Sequence, residues 1–390
     1  MALNFQQVFD KIKQIGKGAK AHQENLEALR EHARHVFEAW ADKPAELRDK
    51  VERARQADPN LRCALPLDEN LDRVHPAPGD TNSVTLLAAD GSQILPDRHA
   101  ALQYSLVNVG AIVLRPGSGQ APEVFTDSSL LFGDELYTET GMVSNEAIEQ
   151  RRDIAERKKL LDLAPDYSAP LLALTDGPVE LWGAKNGGED DYRRNLELHK
   201  AVLSQLQAKG VTVAGYVDKP GADLVVRTLE IATLSGEEVD KNIRKLHPLR
   251  GVNDRWLFGF LPAGARSAVF GLQSSSRAHY TGDLSLHFFY LNVGQARHPW
   301  LVRVEVPKWV AEEAGSLELV QAALLQQCRI MGAKPYPYIL HRAHEIAVVK
   351  FEEKRQVEQM LELELRAAGV EVEDGSNKQS AKDLPGRSRK

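Results

Sequence analysis

Apolar residues are spaced differently in successive parts of this chain. From Phe5 to Asp58 the sequence is mostly polar, with Phe5, Val8, Phe9, Ile12 and Ile15 at helical spacing and Leu26, Leu29, Ala33 and Phe37 continuing the stripe. This predicts an amphipathic helical arm over residues 1–58, broken in two near Gly16 and Gly18. Pro59 to Asn82 is rich in Pro, Asp and Asn and reads as a linking segment. β-Branched and apolar runs follow. Ser83 to Gly91, Tyr104 to Arg115 and Glu123 to Phe132 predict three strands, the last two joined by the turn at Arg115-Pro116-Gly117-Ser118-Gly119. Asn145 to Leu163 predicts a helix capped by Ser144, its many charges mostly on a solvated face. Pro170 to Gly177 and Val211 to Val217 predict buried strands. Asp190 to Lys209 and Asp223 to Thr233 predict helices. Such alternation argues for a mixed α/β layer architecture.

The last third predicts short strands at Trp256 to Leu261, Ala268 to Leu272, Ser285 to Asn292 and Leu301 to Val306. A helix is expected from Leu317 to Ile330 with Ser316 as its cap, and one long helix from Pro337 through Ala368. Residues 371–390 are polar and predict a disordered tail.

Composition narrows the function classes. The chain has 390 residues and a formal net charge of −6, so no bulk basic character marks it as a nucleic-acid binder. A local basic groove stays compatible with that balance. Cys63 and Cys328 form neither a zinc framework nor a disulfide scaffold. No signal peptide and no membrane-length apolar run is visible, which predicts a cytoplasmic protein.

Three acids stand where predicted strands end: Asp90 before Gly91-Ser92, Asp176 before Gly177, and Asp218 before Lys219. Gly91 is expected to turn the chain at its strand end. Asp-Gly turns are common for steric reasons alone, but two of them on similar apolar strands suit a divalent cation, which takes carboxylate oxygens from rigid elements. The glycines after Arg115 lack the following Lys-Ser/Thr of a phosphate cradle. In Tyr336-Pro337-Tyr338-Ile339-Leu340-His341-Arg342-Ala343-His344-Glu345, two histidines lie on neighbouring faces of a helix, and either can bind a metal or move a proton. The plainer reading is an ordinary surface or core histidine. Arg266, Arg277, His279 and Tyr280, around Ser274-Ser275-Ser276, offer basic and aromatic groups to a nucleic-acid strand, or form an ordinary polar loop.

The ordered set Ala89-Asp90-Gly91-Ser92, Thr175-Asp176-Gly177, Gly215-Tyr216-Val217-Asp218-Lys219 and Tyr336-Pro337 through Ala343-His344 resembles the NurA nuclease family, over roughly Ser83 to Val349. The resemblance implies an α/β fold: a ribonuclease H-like mixed sheet flanked by helices, with the N-terminal helical arm and a nuclease domain over residues 59–370. It implies a DNA nuclease using Mn²⁺ or Mg²⁺, with two ions, acting as a 5′-to-3′ exonuclease and single-strand endonuclease. A homodimer docked on a hexameric HerA-type translocase in end resection and double-strand-break repair is implied as well. Asp90 and Asp176 match the metal-binding aspartates. Glu156 fits the family's helical glutamate best by distance, with Glu149 as its rival. Tyr336 and His344 match the C-terminal tyrosine and histidine, the latter completing the metal site or orienting water. Asp218 and Lys219 are further candidates.

Two other function classes compete. An actin-like ATP-binding protein also places Asp-Gly turns around phosphate and metal, but it needs a glycine-rich adenosine pocket, and Gly264 and Gly271 do not make one. A non-catalytic adaptor of a translocase has no need for converging carboxylates.

Overall fold

The computed structural model describes residues 3–79, 84–97, 102–138, 141–183, 189–313 and 315–370. Ser83, expected to open a strand, and the expected disordered tail at 371–390 lie outside the described residues. The chain divides into two compact units: Met1–Gly79 with Tyr216–Leu325, and Asp80–Gly215 with Gln326–Lys390.

The first unit starts with helix α1 (Phe5–Trp40), opened by Asn4, whose side chain accepts from the Gln7 amide at 3.3 Å. It runs unbroken through Gly16 and Gly18, contrary to the expected break. An interior glycine costs about 1 kcal/mol relative to alanine, too little to stop a helix of this length. The real break precedes Pro44, which opens α2 (Pro44–Ala57) at the position proline favours. Ala33, Val36 and Phe37 are buried, whereas Phe5 to Ile15 carry an exposed stripe. The expected linker contains a strand, β1 (Cys63–Pro66).

In the second unit, β2 (Thr85–Ile94), β3 (Tyr104–Leu114) and β4 (Glu123–Phe132) form an antiparallel meander. A small hairpin, β5 (Tyr137–Thr138) and β6 (Gly141–Met142), leads to α3 (Asn145–Leu163). The Ser144 hydroxyl caps α3 by accepting from the Ala147 amide at 3.1 Å. Then come β7 (Leu171–Asp176), α4 (Glu189–Ala208) and β8 (Val211–Val217). The strand order is β4-β3-β2-β7-β8, and β7 runs parallel to β2. Residues Thr85 to Ala89 and Leu171 to Thr175 are buried, as expected of strands covered on both faces.

Back in the first unit come α5 (Leu224–Thr233), α6 (Gly236–Asn242), α7 (Asp254–Leu257), β9 (Phe270–Gln273), β10 (Leu286–Asn292), β11 (Leu301–Pro307), α8 (Lys308–Glu312) and α9 (Ser316–Ile330). Strands β1-β9-β10-β11 pair antiparallel in that order. The strand expected at Trp256 to Leu261 is instead α7 followed by a 3₁₀ turn, Phe258–Phe260. Asn253 caps α7 by accepting from the Trp256 amide at 3.0 Å, and Phe258 stacks on Tyr290 with ring centres 4.7 Å apart. Aromatic packing has overridden strand propensity here. Ser316 is the first residue of α9 rather than its cap.

The chain ends its described course in the second unit with α10 (Tyr338–Ala347) and α11 (Phe351–Ala367), two helices where one was expected. Val348 is extended (φ −61°, ψ 117°). Val349 packs beside Ile94, Tyr104 and Leu106.

Candidate active site

Asp90 lies inside β2, not at its end. The strand runs on through Gly91 and Ser92, in register with Gly110, Val109 and Asn108 of β3. Gly91 therefore makes no turn. Its lack of a side chain allows close approach: a Cβ there would lie 2.5 Å from Cγ of Arg152 and 2.8 Å from Oε1 of Glu156. Helix α3 is thus seated directly on the strand at the residue next to Asp90. Opposite Asp90, a Cβ on Gly110 would lie 2.5 Å from the Ala347 amide nitrogen, so the end of α10 is seated on β3 in the same way. Side chains alternate across a strand, so Gly91 faces α3 while Asp90 and Ser92 share the α10 face.

On that face His344 Nδ1 stands 2.7 Å from Oδ2 of Asp90; it donates when Nδ1 carries the proton. Asp90 is 18% exposed and His344 63%. Ser92 fixes this arrangement. Its hydroxyl donates to the Ala347 carbonyl at 2.5 Å and accepts from the Val349 amide at 3.2 Å, and Asn108 Nδ2 also donates to Ala347, at 2.8 Å. These bonds satisfy backbone groups where α10 stops, which explains the break in the helix.

Glu156 is 5% exposed. Burial pushes its carboxyl up to about 8; Arg157 pulls the other way, and the charges of Asp153 and Asp90 raise it further. Arg152 lies along the same stripe. Its Nε is 3.4 Å from Glu156, its Nη2 donates to Asp153 at 2.7 Å, and its Nη1 donates to Gln93 at 2.8 Å. Arg157, also buried, donates to the carbonyls of Asp153 at 2.8 Å and Pro178 at 2.9 Å, tying α3 to the turn after Asp176. The α3 charges expected to be solvated therefore include two buried ones.

Parallel pairing of β2 with β7 reaches Ala89 opposite Thr175, and one step further along that register stand Asp90 and Asp176. Asp176 ends β7 and is exposed. Tyr336 is half-buried just before α10. Glu149 is exposed on α3, two turns before Glu156. Asp218 and Lys219 belong to the first unit. There Asp218 accepts from the Trp300 indole at 2.8 Å, and Lys219 holds a left-handed backbone (φ 44°). Of the residues that could grip a strand, Arg266 and Tyr280 are buried, and Arg277 pairs with Glu52 at 2.6 Å.

Among the described residues, no three His, Cys, Asp or Glu side chains are grouped to hold a metal ion. The donors nonetheless suit one. Asp90, Asp176 and Glu156 offer hard carboxylate oxygens, and a divalent cation would favour the ionised form of the buried Glu156, which burial and the Asp90 charge disfavour.

A meander, a crossing helix and a parallel strand, with Asp90 and Asp176 on neighbouring strands, form a ribonuclease H-like core. The NurA domain model matches residues 84–349, and the chain belongs to the NurA family. The structure is similar to the crystal structure of the NurA nuclease from Sulfolobus solfataricus, with 12% identity and a TM-score of 0.50, covering 93% of this chain and 98% of that one. Weaker likenesses are to the catalytic domain of human Endonuclease V (14% identity, TM-score 0.31, 72% of this chain and 84% of that one) and to A. aeolicus Argonaute (9%, 0.30, 68% and 28%). Among curated proteins the sequence has no match. Membership of this family supports a nuclease role, with DNA as the substrate that the family implies. No helix among the described residues is long and apolar enough to cross a membrane.

Proposed function

We propose that this protein is a divalent-metal-dependent deoxyribonuclease whose site is formed by Asp90, Glu156, Asp176, Tyr336 and His344, within residues 59–370. The observation that carries the reading is the joint placement of His344 against Asp90 and of Glu156 beneath Gly91, the next residue. Asp90, Asp176 and Glu156 would hold Mn²⁺ or Mg²⁺, with His344 as a further donor. Two such ions held there would supply the Lewis acidity that phosphodiester cleavage needs, to activate a water and stabilise the leaving oxygen. His344 orients the Asp90 carboxylate and holds or moves a proton beside it. Arg152 holds Asp153 and balances the charge of Glu156.

Within this reading the protein acts as a 5′-to-3′ exonuclease and single-strand endonuclease in the cytoplasm. It works as a homodimer on a hexameric HerA-type translocase in end resection and double-strand-break repair. Delivery of the strand by a translocase fits a chain whose net charge is −6.

The test is cleavage of end-labelled single- and double-stranded DNA by purified protein in Mn²⁺, Mg²⁺ or EDTA, beside Asp90→Ala and His344→Ala. Metal-dependent cleavage that Asp90→Ala abolishes supports the site. Cleavage absent even with the translocase present favours a non-catalytic adaptor, and cleavage that persists in both variants removes these residues from the chemistry.

A further inference from the structure

The first unit carries a cavity of about 770 Å³ that the proposed chemistry does not use. Its walls include Phe260 and Trp300, together with Arg34, Arg255, Glu38 and Asp72. Phe260 is 46% exposed, and Trp300 is half-buried, immediately before β11. Such rings are usually covered in a folded core; here they face a cavity.

The cations around the rings are placed by the fold. The Arg34 guanidinium lies 5.4 Å from the centre of the Trp256 ring, which fixes its position on the wall. Lys219 Nζ lies 5.9 Å from the centre of the Trp300 ring, and Asp218 accepts from the same indole at 2.8 Å. Lys219 is the single described residue other than glycine with positive φ, 44°. A lysine held in the left-handed region is strained, and strain of this kind collects at ligand sites.

We propose that this pocket binds single-stranded nucleic acid: a base stacks on Phe260 and Trp300, and the backbone phosphates meet Arg34, Arg255 and Lys219. Aromatic faces accept any base, and guanidinium and ammonium groups take the phosphates. Glu38 and Asp72, on the same walls, accept hydrogen bonds from the amino groups of a base. The proposal deepens the nuclease reading and rests on it, because it gives the substrate strand a foothold made of residues other than the acids.

The experiment is fluorescence anisotropy of a 5′-labelled 20-nucleotide single strand with the full chain in EDTA, so that binding is read without cleavage. Phe260→Ala and Trp300→Leu are each expected to weaken binding about five- to a hundredfold. Lys219→Gly is expected to weaken binding and to lower the salt dependence by about one counterion. Glycine relieves the backbone at this position, so thermal stability should hold or rise in that variant, which separates lost binding from lost folding. Wild-type affinity in the three folded variants overturns the proposal, as does failure of the wild type to bind the strand at all. A free deoxynucleoside monophosphate that binds as tightly as the 20-mer also overturns it, and marks a mononucleotide site. The nuclease reading fails separately, through cleavage that survives Asp90→Ala.

Discussion

The Ser92 hydroxyl, two residues beyond Asp90, donates to the carbonyl of Ala347 at 2.5 Å, three residues beyond His344. The serine of the Asp90-Gly91-Ser92 stretch therefore holds the helix that carries the histidine. Ser92→Ala removes this bond and the one from the Val349 amide. Each net hydrogen bond is worth about 1 kcal/mol, so a loss of about 1–2 kcal/mol is expected in chemical denaturation. Cleavage should fall at least about tenfold in kcat with little change in KM, because His344 loses its fixed position while substrate contacts remain. Unchanged kcat in the folded variant would remove the positioning role.

Gly91→Ala tests the opposite face. The new methyl would meet Arg152 and Glu156 well inside van der Waals contact, so α3 must shift or both side chains must turn away. Overpacking of this kind costs about 1–3 kcal/mol. The accompanying expectation is weaker Mn²⁺ binding by calorimetry, since Glu156 is displaced. Gly110→Ala should damage the α10 face similarly, because the Ala347 amide is equally close to its added Cβ. A Gly91→Ala protein with wild-type stability and metal affinity would show that this contact does not place Glu156.

The sequence pattern revealed the strands and helices that build the core, and several bounds agree to the residue, as for Asn145–Leu163 and Val211–Val217. Periodicity and capping signals are local, and here the tertiary structure respects them. What stayed hidden depends on contacts between distant residues. Gly91 looked like a turn because a glycine after an acid is a turn signal, yet it marks close helix approach. Gly110 gave the better clue, an isolated glycine inside a strand. The stop between α10 and α11 has no proline or glycine to announce it; Ser92 and Asn108, far back in the chain, make it. The charged stripe of α3 read as solvated because nothing local shows which charges lie over a glycine.

Glu156 sets an expectation for metal binding that does not depend on cleavage. Burial, with Asp153 and Asp90 nearby, raises its carboxyl to about 8, so roughly nine in ten are protonated at pH 7 without a cation. A divalent ion needs the carboxylate, so binding should release nearly one proton per site. Protons compete more strongly as pH falls, and apparent affinity should drop about tenfold per pH unit below about 8 through this group alone. Calorimetry of Mn²⁺ binding in buffers of different ionisation enthalpy reads the proton count. Glu156→Gln should abolish the release; release that survives the substitution assigns the proton elsewhere and removes Glu156 from the ligands.

His199 governs a separate dependence on pH. It is fully buried on α4, with Nε2 3.0 Å from the Val179 carbonyl. Burial holds its pKa well below the usual value, and the charge of Arg157 acts the same way, against the pull of that carbonyl. In the unfolded chain the imidazole takes a proton near pH 6.5, while in the folded protein it stays neutral. Below that pH the unfolded state binds more protons, so stability is fully present above about 6.5 and is lost as pH falls. The slope from this group approaches about 1.4 kcal/mol per unit. His199→Gln keeps a donor for Val179 and removes the titration. Urea denaturation at pH 7.5, 6.5 and 5.5 should show wild-type stability falling more steeply across the lower step than that of the variant. Equal slopes in the two proteins would mean that another group carries the acid sensitivity.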